Sequence, residues 1–355
     1  MSETETPSRR PLPPPPRPRK LRLPTRPRGR LSGCALEDYL FVLEHFCDWI
    51  KKKAAGMDFK VGARGWCYIL ENEGVISKGE FDKAQRQITE YRKDGLLPLD
   101  ICIEDDDRAA DFVEELDDDD TENYARGWID AVLSAHENWK PISFWGYQDY
   151  YVEMATEKQD LKSLFAEVCE RYHVPVTNFK GWADLHSRAG MAERFNDKEQ
   201  EGKQCVLLVC GDHDPGGLLI TDTLLKNFED LSKATGWTPE GLEIVRFGLN
   251  FDFIKKNKLT WIDNLETSSG NRLDDPKHPD HDKDYVQDYL QRYGARKVEG
   301  NALVTRPNEG RQLAEDAIRR YIKPAGIKQY ETDLAQRREE LRREIRKQIR
   351  RIPSH

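Results

Sequence analysis

Asp212 and Asp214 follow directly on the unbroken apolar run 205–210. That run is bounded by turn residues and predicts a strand buried on both faces, as in a parallel sheet under helices. If the chain stays extended past it, side chains two residues apart leave the same face, and both carboxylates point one way. Like charges fixed at one strand end repel unless a proton or a cation neutralises them. Hard oxygen donors select Mg2+ or Mn2+ rather than zinc. Pro215, Gly216 and Gly217 then force a tight turn, and Leu218, Leu219, Leu224 and Leu225 open a helix whose N-terminus lies beside the acids. For Asp-x-Asp taken alone, a surface turn rich in Asp and Gly is the simpler reading.

A second acidic strand end changes that reading. The segment 150–157 predicts a strand ending at Glu157, followed by a helix through Leu161, Leu164, Phe165 and Val168. A parallel α/β sheet gathers its strand ends along one edge, so Glu157 would converge with Asp212 and Asp214 in one crevice. The order strand, Glu157-Lys158, helix, strand, Asp212-x-Asp214-Pro215-x-Gly217 resembles a Toprim domain. Its Asp-Pro-Gly ending is most similar to the version in the A subunit of topoisomerase VI and its meiotic double-strand-break relatives.

The remaining chain must position those acids. It has 355 residues, about a third of them charged, and a net charge of −8, enough for two domains and without a global signal for nucleic acid. No apolar run approaches a membrane span and the N-terminus lacks a secretory apolar core, so an intracellular protein is expected, in the cytoplasm or nucleoid, or in the nucleus of a eukaryote. The seven cysteines form no Cys-x-x-Cys pair and read as reduced core residues. Residues 1–33 are a Pro/Arg tract that cannot bury a core. Its arginines suit either loose phosphate binding or a solvated tail.

From Leu36 the pattern turns helical, with Leu36, Leu40, Leu43, Phe46 and Ile50 on one face. A second helix is predicted within 61–70. A third opens at Ser77 with Glu80 as a capping box and stops at Gly95. Residues 96–103 then predict a strand, giving three helices and a wing over 34–104. A winged helix lays its third helix in the major groove, which would present Lys78, Lys83, Arg86 and Lys93 to double-stranded DNA; charges on such a face are otherwise simply solvated. The acidic run within 105–120 and a helix from 124 to 136 predict a linker, 105–140, before a Toprim domain at 141–327.

Within the second helix stands Arg64-Gly-Trp-Cys-Tyr68. It resembles the family's Arg-x-x-Tyr-Tyr motif, with Tyr68 as the second tyrosine and Cys67 in place of the first, and the likeness runs from about 36 to 325. It implies an N-terminal winged helix of the catabolite-activator kind followed by a Rossmann-like Toprim sheet, in a homodimer where each tyrosine faces the other subunit's metal site. A phenoxide attacking a phosphodiester keeps the energy of the broken bond in a phosphotyrosyl link. Tyrosine needs a nearby cation, such as Arg64 or a metal, to favour its anion. On spacing alone Tyr68 reads better as a core residue packed beside Trp66 and Ile69 than as a nucleophile.

Further along, a helix carries His186, Arg188 and Arg194. Arg188 could meet a DNA phosphate, although pairing with Asp184 four residues back is the simpler account. Arg246-Phe-Gly-Leu resembles the family's strand after the Asp-x-Asp helix. Glu299 resembles the glutamate of its closing strand, with Asn301 where an aspartate is frequent, and is held as an accessory group. His278 and His281 read as a solvated loop. The region 328–355 predicts a charged helix suited to a coiled coil or to DNA.

The expectation is therefore a type IIB topoisomerase A-like transesterase, with Tyr68, Arg64 and Glu157 catalytic and Glu157, Asp212 and Asp214 holding Mg2+ or Mn2+. Strand passage would need a separate B-type ATPase subunit, since no P-loop sequence occurs here. The alternatives are a Toprim nuclease that uses water, and a DNA-binding scaffold within a larger complex.

Overall fold

A computed structural model describes residues 21–25, 33–103, 120–179, 185–266 and 271–351. Most of the Pro/Arg tail, nearly all of the acidic run and residues 180–184, Asp184 among them, lie outside the described residues, as does the side chain of His186. The chain forms two compact units, one within 1–57 and 70–99, the other within 58–69 and 100–355.

The first unit is helical. In α1 (Cys34–Ala55) Val42, Leu43, Phe46, Cys47 and Ile50 are buried, while the expected Leu36 and Leu40 are exposed. α2 (Ala63–Asn72) begins in the second unit and ends in the first. α3 (Phe81–Lys93) buries Phe81, Ala84, Ile88 and Tyr91 at helical spacing. It is entered through a turn in which Glu80 accepts from the Ser77 N–H at 2.9 Å, as the capping box predicts. The strand expected at 96–103 does not form. Gly95 takes a left-handed φ of 71°, and the N–H groups of Leu96 and Leu97 both return to the Tyr91 carbonyl. Those residues therefore close α3 instead of pairing in a ladder, and Pro98 has no N–H to offer. A short 3-10 turn, Leu99–Ile101, follows.

The second unit is mixed α/β. α4 (Thr121–Asn138) is capped by Asp120, whose side chain accepts from the Asn123 N–H. β1 (Tyr150–Thr156), α5 (Gln159–Arg171), β2 (Val176–Asn178), α6 (Leu185–Gln200) and β3 (Gln204–Cys210) come next. Then follow α7 (Pro215–Leu218), α8 (Ile220–Glu229), α9 (Ser232–Thr235), β4 (Glu243–Gly248) and α10 (Phe251–Asn257). α11 (Asp284–Tyr293), α12 (Pro307–Arg319) and α13 (Pro324–Ile349) complete it. The four strands are parallel in the order β2-β1-β3-β4. Residues 205–210 are buried throughout, because α6 covers one face of the sheet and α5 with α12 the other.

The chain leaves β1 toward one side of the sheet and β3 toward the other, so the crevice between their carboxyl ends is the topological switch point. Their register brings Thr156 beside Cys210, and the next N–H, of Glu157, donates to the Cys210 carbonyl at 3.0 Å. Glu157 and Asp212 thus leave neighbouring strand ends. No helix among the described residues is long and apolar enough to cross a membrane. The cysteines are free thiols, Cys34 exposed and the other six buried.

Candidate functional site

The backbone after β3 is tied down before its side chains are set. His213 exchanges N–H and carbonyl bonds with Val298, at 2.8 and 3.1 Å. Arg246, on β4, donates to the carbonyls of Asp212, Gly217 and Leu249 at 2.8–2.9 Å. A Cβ at Gly217 would collide with the Asp212 carbonyl oxygen, so only glycine lets the turn close this tightly. Asp214 caps α7 through the Gly217 N–H at 2.6 Å.

Two acids meet around this loop, and a third, Asp214, lies near enough to Asp212 to feel its charge. Glu157 Oε2 accepts the Asp212 N–H at 2.8 Å, and Asp212 Oδ1 accepts the Gly300 N–H at 2.7 Å. Lys158 bridges the two carboxylates, 3.1 Å from Glu157 Oε1 and 3.0 Å from Asp212 Oδ2. Burial, then the charge of Glu157, pushes Asp212 up to about 6, and burial, then Asp212, raises Asp214. Burial opposes the charge on Lys158, but Asp212 and Glu157 outweigh it and hold the ammonium above its ordinary value. Among the described residues, no three such side chains are already arranged around a cation position. The donor set nevertheless fits a hard cation: it is all oxygen, Asp212 is buried with Glu157 and Asp214 half-buried, and an ammonium already stands where two of its carboxylates converge.

The segment 58–69, expected to belong with the first domain, packs instead with the sheet. Asp58 pairs with Arg311 at 2.6 Å, and the Lys60 N–H donates to Ser163 Oγ at 3.0 Å. Its functional side chains converge on Glu299. Arg64 makes a bidentate pair with that carboxylate, Nε to Oε2 and Nη2 to Oε1, each 2.9 Å, and the Tyr68 hydroxyl donates to Oε2 at 2.9 Å. Tyr68 is 1% exposed. Burial, then the Glu299 charge and hydrogen bond, raises its phenol far above the ordinary value, with Asp212 adding in the same direction. Burial tends to raise Glu299, but Arg64 and the Tyr68 hydroxyl outweigh it and hold the carboxyl low.

The basic residues proposed for DNA lie elsewhere. Lys83, Arg86 and Lys93 are on α3, in the first unit, and bond locally to Thr25, the Asp82 carbonyl and Glu90. Lys78 is pulled inward, 3.5 Å from Glu71 and over the Phe81 ring. Arg188 is half-buried on α6, and Asp184, its expected partner, lies outside the described residues. His278 and His281 bond to nearby backbone, Asp280 N–H and Leu273 carbonyl.

Lys158, Arg246 and the central place of Glu299 were not assigned from the sequence. An arginine between the apolar Val245 and Phe247 was the available sign, because a buried guanidinium must find several acceptors. The chain matches no family model, no curated protein and no solved structure.

Proposed function

We propose that this chain is a metal-dependent DNA-cleaving protein of the Toprim kind, its N-terminal helices lacking the expected wing, cutting through a phosphotyrosyl intermediate. The supporting observation is that Tyr68, Arg64 and Glu299 form one hydrogen-bonded cluster in the same unit as Glu157, Asp212 and Asp214, close enough that Asp212 acts on the Tyr68 phenol. In this reading Glu157, Asp212 and Asp214 hold Mg2+ or Mn2+, which supplies positive charge to a bound phosphodiester. The Tyr68 oxygen bonds to phosphorus while the 3′ oxygen leaves and takes a proton from water. The phenol proton passes to Glu299 Oε2, the acceptor it already faces. The product is a 5′-phosphotyrosyl link. Two copies acting on opposite strands would make a double-strand break.

One observation favours hydrolysis by water instead. Tyr68 is sealed from solvent and bonded to a carboxylate, and both disfavour its anion. Supercoiled plasmid incubated with the protein and Mg2+ or Mn2+, then stopped with denaturant, separates the two. The transesterase gives protein covalently held on DNA, lost in Tyr68→Phe and Asp212→Ala. Cuts without adduct that survive Tyr68→Phe establish the hydrolytic nuclease. No cleavage, even with candidate ATPase subunits added, sinks both readings.

A further inference from the structure

Glu299, Gly300 and Asn301 are consecutive, and each ties down a different part of the site. Glu299 holds Tyr68 and Arg64, the Gly300 N–H holds Asp212, and Asn301 Nδ2 donates to Asp160 Oδ2 at 2.8 Å. Asp160 sits in the first turn of α5, is buried, and takes no part in the chemistry described above. Its other oxygen, Oδ1, accepts the Gly62 N–H at 2.5 Å, one residue before α2 begins. The fit continues along α2: a Cβ at Gly65 would run into Asp160 Oδ2, so the helix that carries Arg64 and Tyr68 passes directly over this carboxylate.

We propose that Asp160 and Asn301 form a positioning clamp that fixes the start of α2, and through it the Tyr68 hydroxyl, against the Glu299–Asp212 side of the crevice. The inference rests on the reading of Tyr68 as nucleophile only for its catalytic consequence; the clamp itself concerns where the phenol is held. The chemistry of position 301 follows. A buried carboxylate at 160 already accepts from Gly62, so its neighbour must donate, and an amide does where a second carboxylate would repel. The pair can also be exchanged in principle. When Asp160→Asn is combined with Asn301→Asp, the new amide carbonyl accepts from Gly62 and the new amide N–H donates to the carboxylate at position 301. Both hydrogen bonds are restored with one carboxylate still in place. Recovery would be partial, because Asn301 Oδ1 is buried without a hydrogen bond and the exchange puts a carboxylate oxygen there.

The test places 3-fluorotyrosine at position 68 of the full chain and follows its fluorine resonance against pH. The unaltered chain, Asp160→Ala, Asn301→Asp and the double variant Asp160→Asn with Asn301→Asp are compared, each checked for folding by circular dichroism. The clamp predicts one resonance that resists ionisation in the unaltered chain. In both single variants it shifts or splits and ionises at lower pH, and in the double variant it moves back toward its original position. A resonance and titration unchanged in folded Asp160→Ala or folded Asn301→Asp overturn the clamp. So does a folded double variant no closer to the original than the single ones. If Asp160→Ala does not fold, Asn301→Asp and the double variant still decide it. Adduct formation on plasmid is read in parallel, and a misplaced nucleophile loses on the order of 10²-fold, recovered in part by the double variant. Absence of any adduct in the unaltered chain removes the nucleophile reading and leaves the fluorine result to judge the clamp alone.

Discussion

The phenol of Tyr68 and the carboxylate of Glu299 meet at 2.9 Å where almost no solvent reaches. A carboxylate acceptor favours the neutral phenol, yet it is also the base to which that phenol can give its proton. Replacing it separates the two effects. In Glu299→Gln the Tyr68 phenol ionises at lower pH, seen in an ultraviolet difference titration against the same chain carrying Tyr68→Phe. Adduct formation falls at neutral pH, by about 10²-fold for loss of a positioned base, and climbs more steeply as pH rises. A neutral-pH rate unchanged in Glu299→Gln would remove Glu299 from the reaction.

Asp212 should make the metal-free protein less stable as pH rises. Its folded value is pushed up to about 6 from 3.8, so between those values the native state binds a proton that the unfolded state has already lost. Stability therefore declines from about pH 4 to about pH 7, by roughly 3 kcal/mol at most for a shift of about two units. Urea unfolding with EDTA present, in the unaltered chain and in Asp212→Asn, isolates the effect. The amide keeps an acceptor for the Gly300 N–H, and the difference between the two curves should show this slope. Parallel curves would mean that Asp212 titrates normally.

Lys158 bridges Glu157 and Asp212, so Lys158→Met leaves the buried Asp212 carboxylate facing the half-buried Glu157 with no cation between them. Loss of one member of such a group costs about 3 kcal/mol without metal. A bound divalent cation should replace the lost ammonium, and Mg2+ or Mn2+ should raise the urea midpoint more in Lys158→Met than in the unaltered chain. A variant that gains nothing from either ion would count against the metal site.

The legible parts were those that repeat a simple rule. The apolar run 205–210 and the segment 150–157 declared buried parallel strands, and parallel pairing by itself put Glu157 beside Asp212. What stayed hidden depended on partners far apart in the chain. Glu153 is the one charged residue within β1, and it is fully buried and held by both Arg194 Nε and Nη2 at 2.7 Å. The segment 96–103 has the apolar content of a strand, yet Gly95 and the Tyr91 carbonyl claim it for a helix end. Tyr68 was visible both as a core residue and as a nucleophile; its burial satisfies the first description, and its bond to Glu299, 231 residues away in the chain, was not visible at all.

The residues offered to DNA on α3 should divide by their surroundings. Arg86 and Lys93 are exposed, and Lys83 is half-buried and donates to a threonine hydroxyl at 3.0 Å, so each can reach a phosphate at little structural cost. Lys78 is half-buried between Glu71 and the Phe81 ring, and its removal would be felt by the fold. Each lost phosphate contact lowers the dependence of log affinity on log salt by about 0.9. Neutralising Lys83, Arg86 and Lys93 to Gln should therefore flatten the slope by roughly two to three, with the melting temperature nearly unchanged. Lys78→Gln should do the reverse, lowering stability by about 1 kcal/mol while leaving the slope almost intact. Fluorescence anisotropy of a labelled duplex at several salt concentrations measures both. If the triple variant binds with an unaltered slope, α3 is not the helix that meets DNA, because a helix that neutralises phosphates cannot lose three cations without releasing fewer counterions.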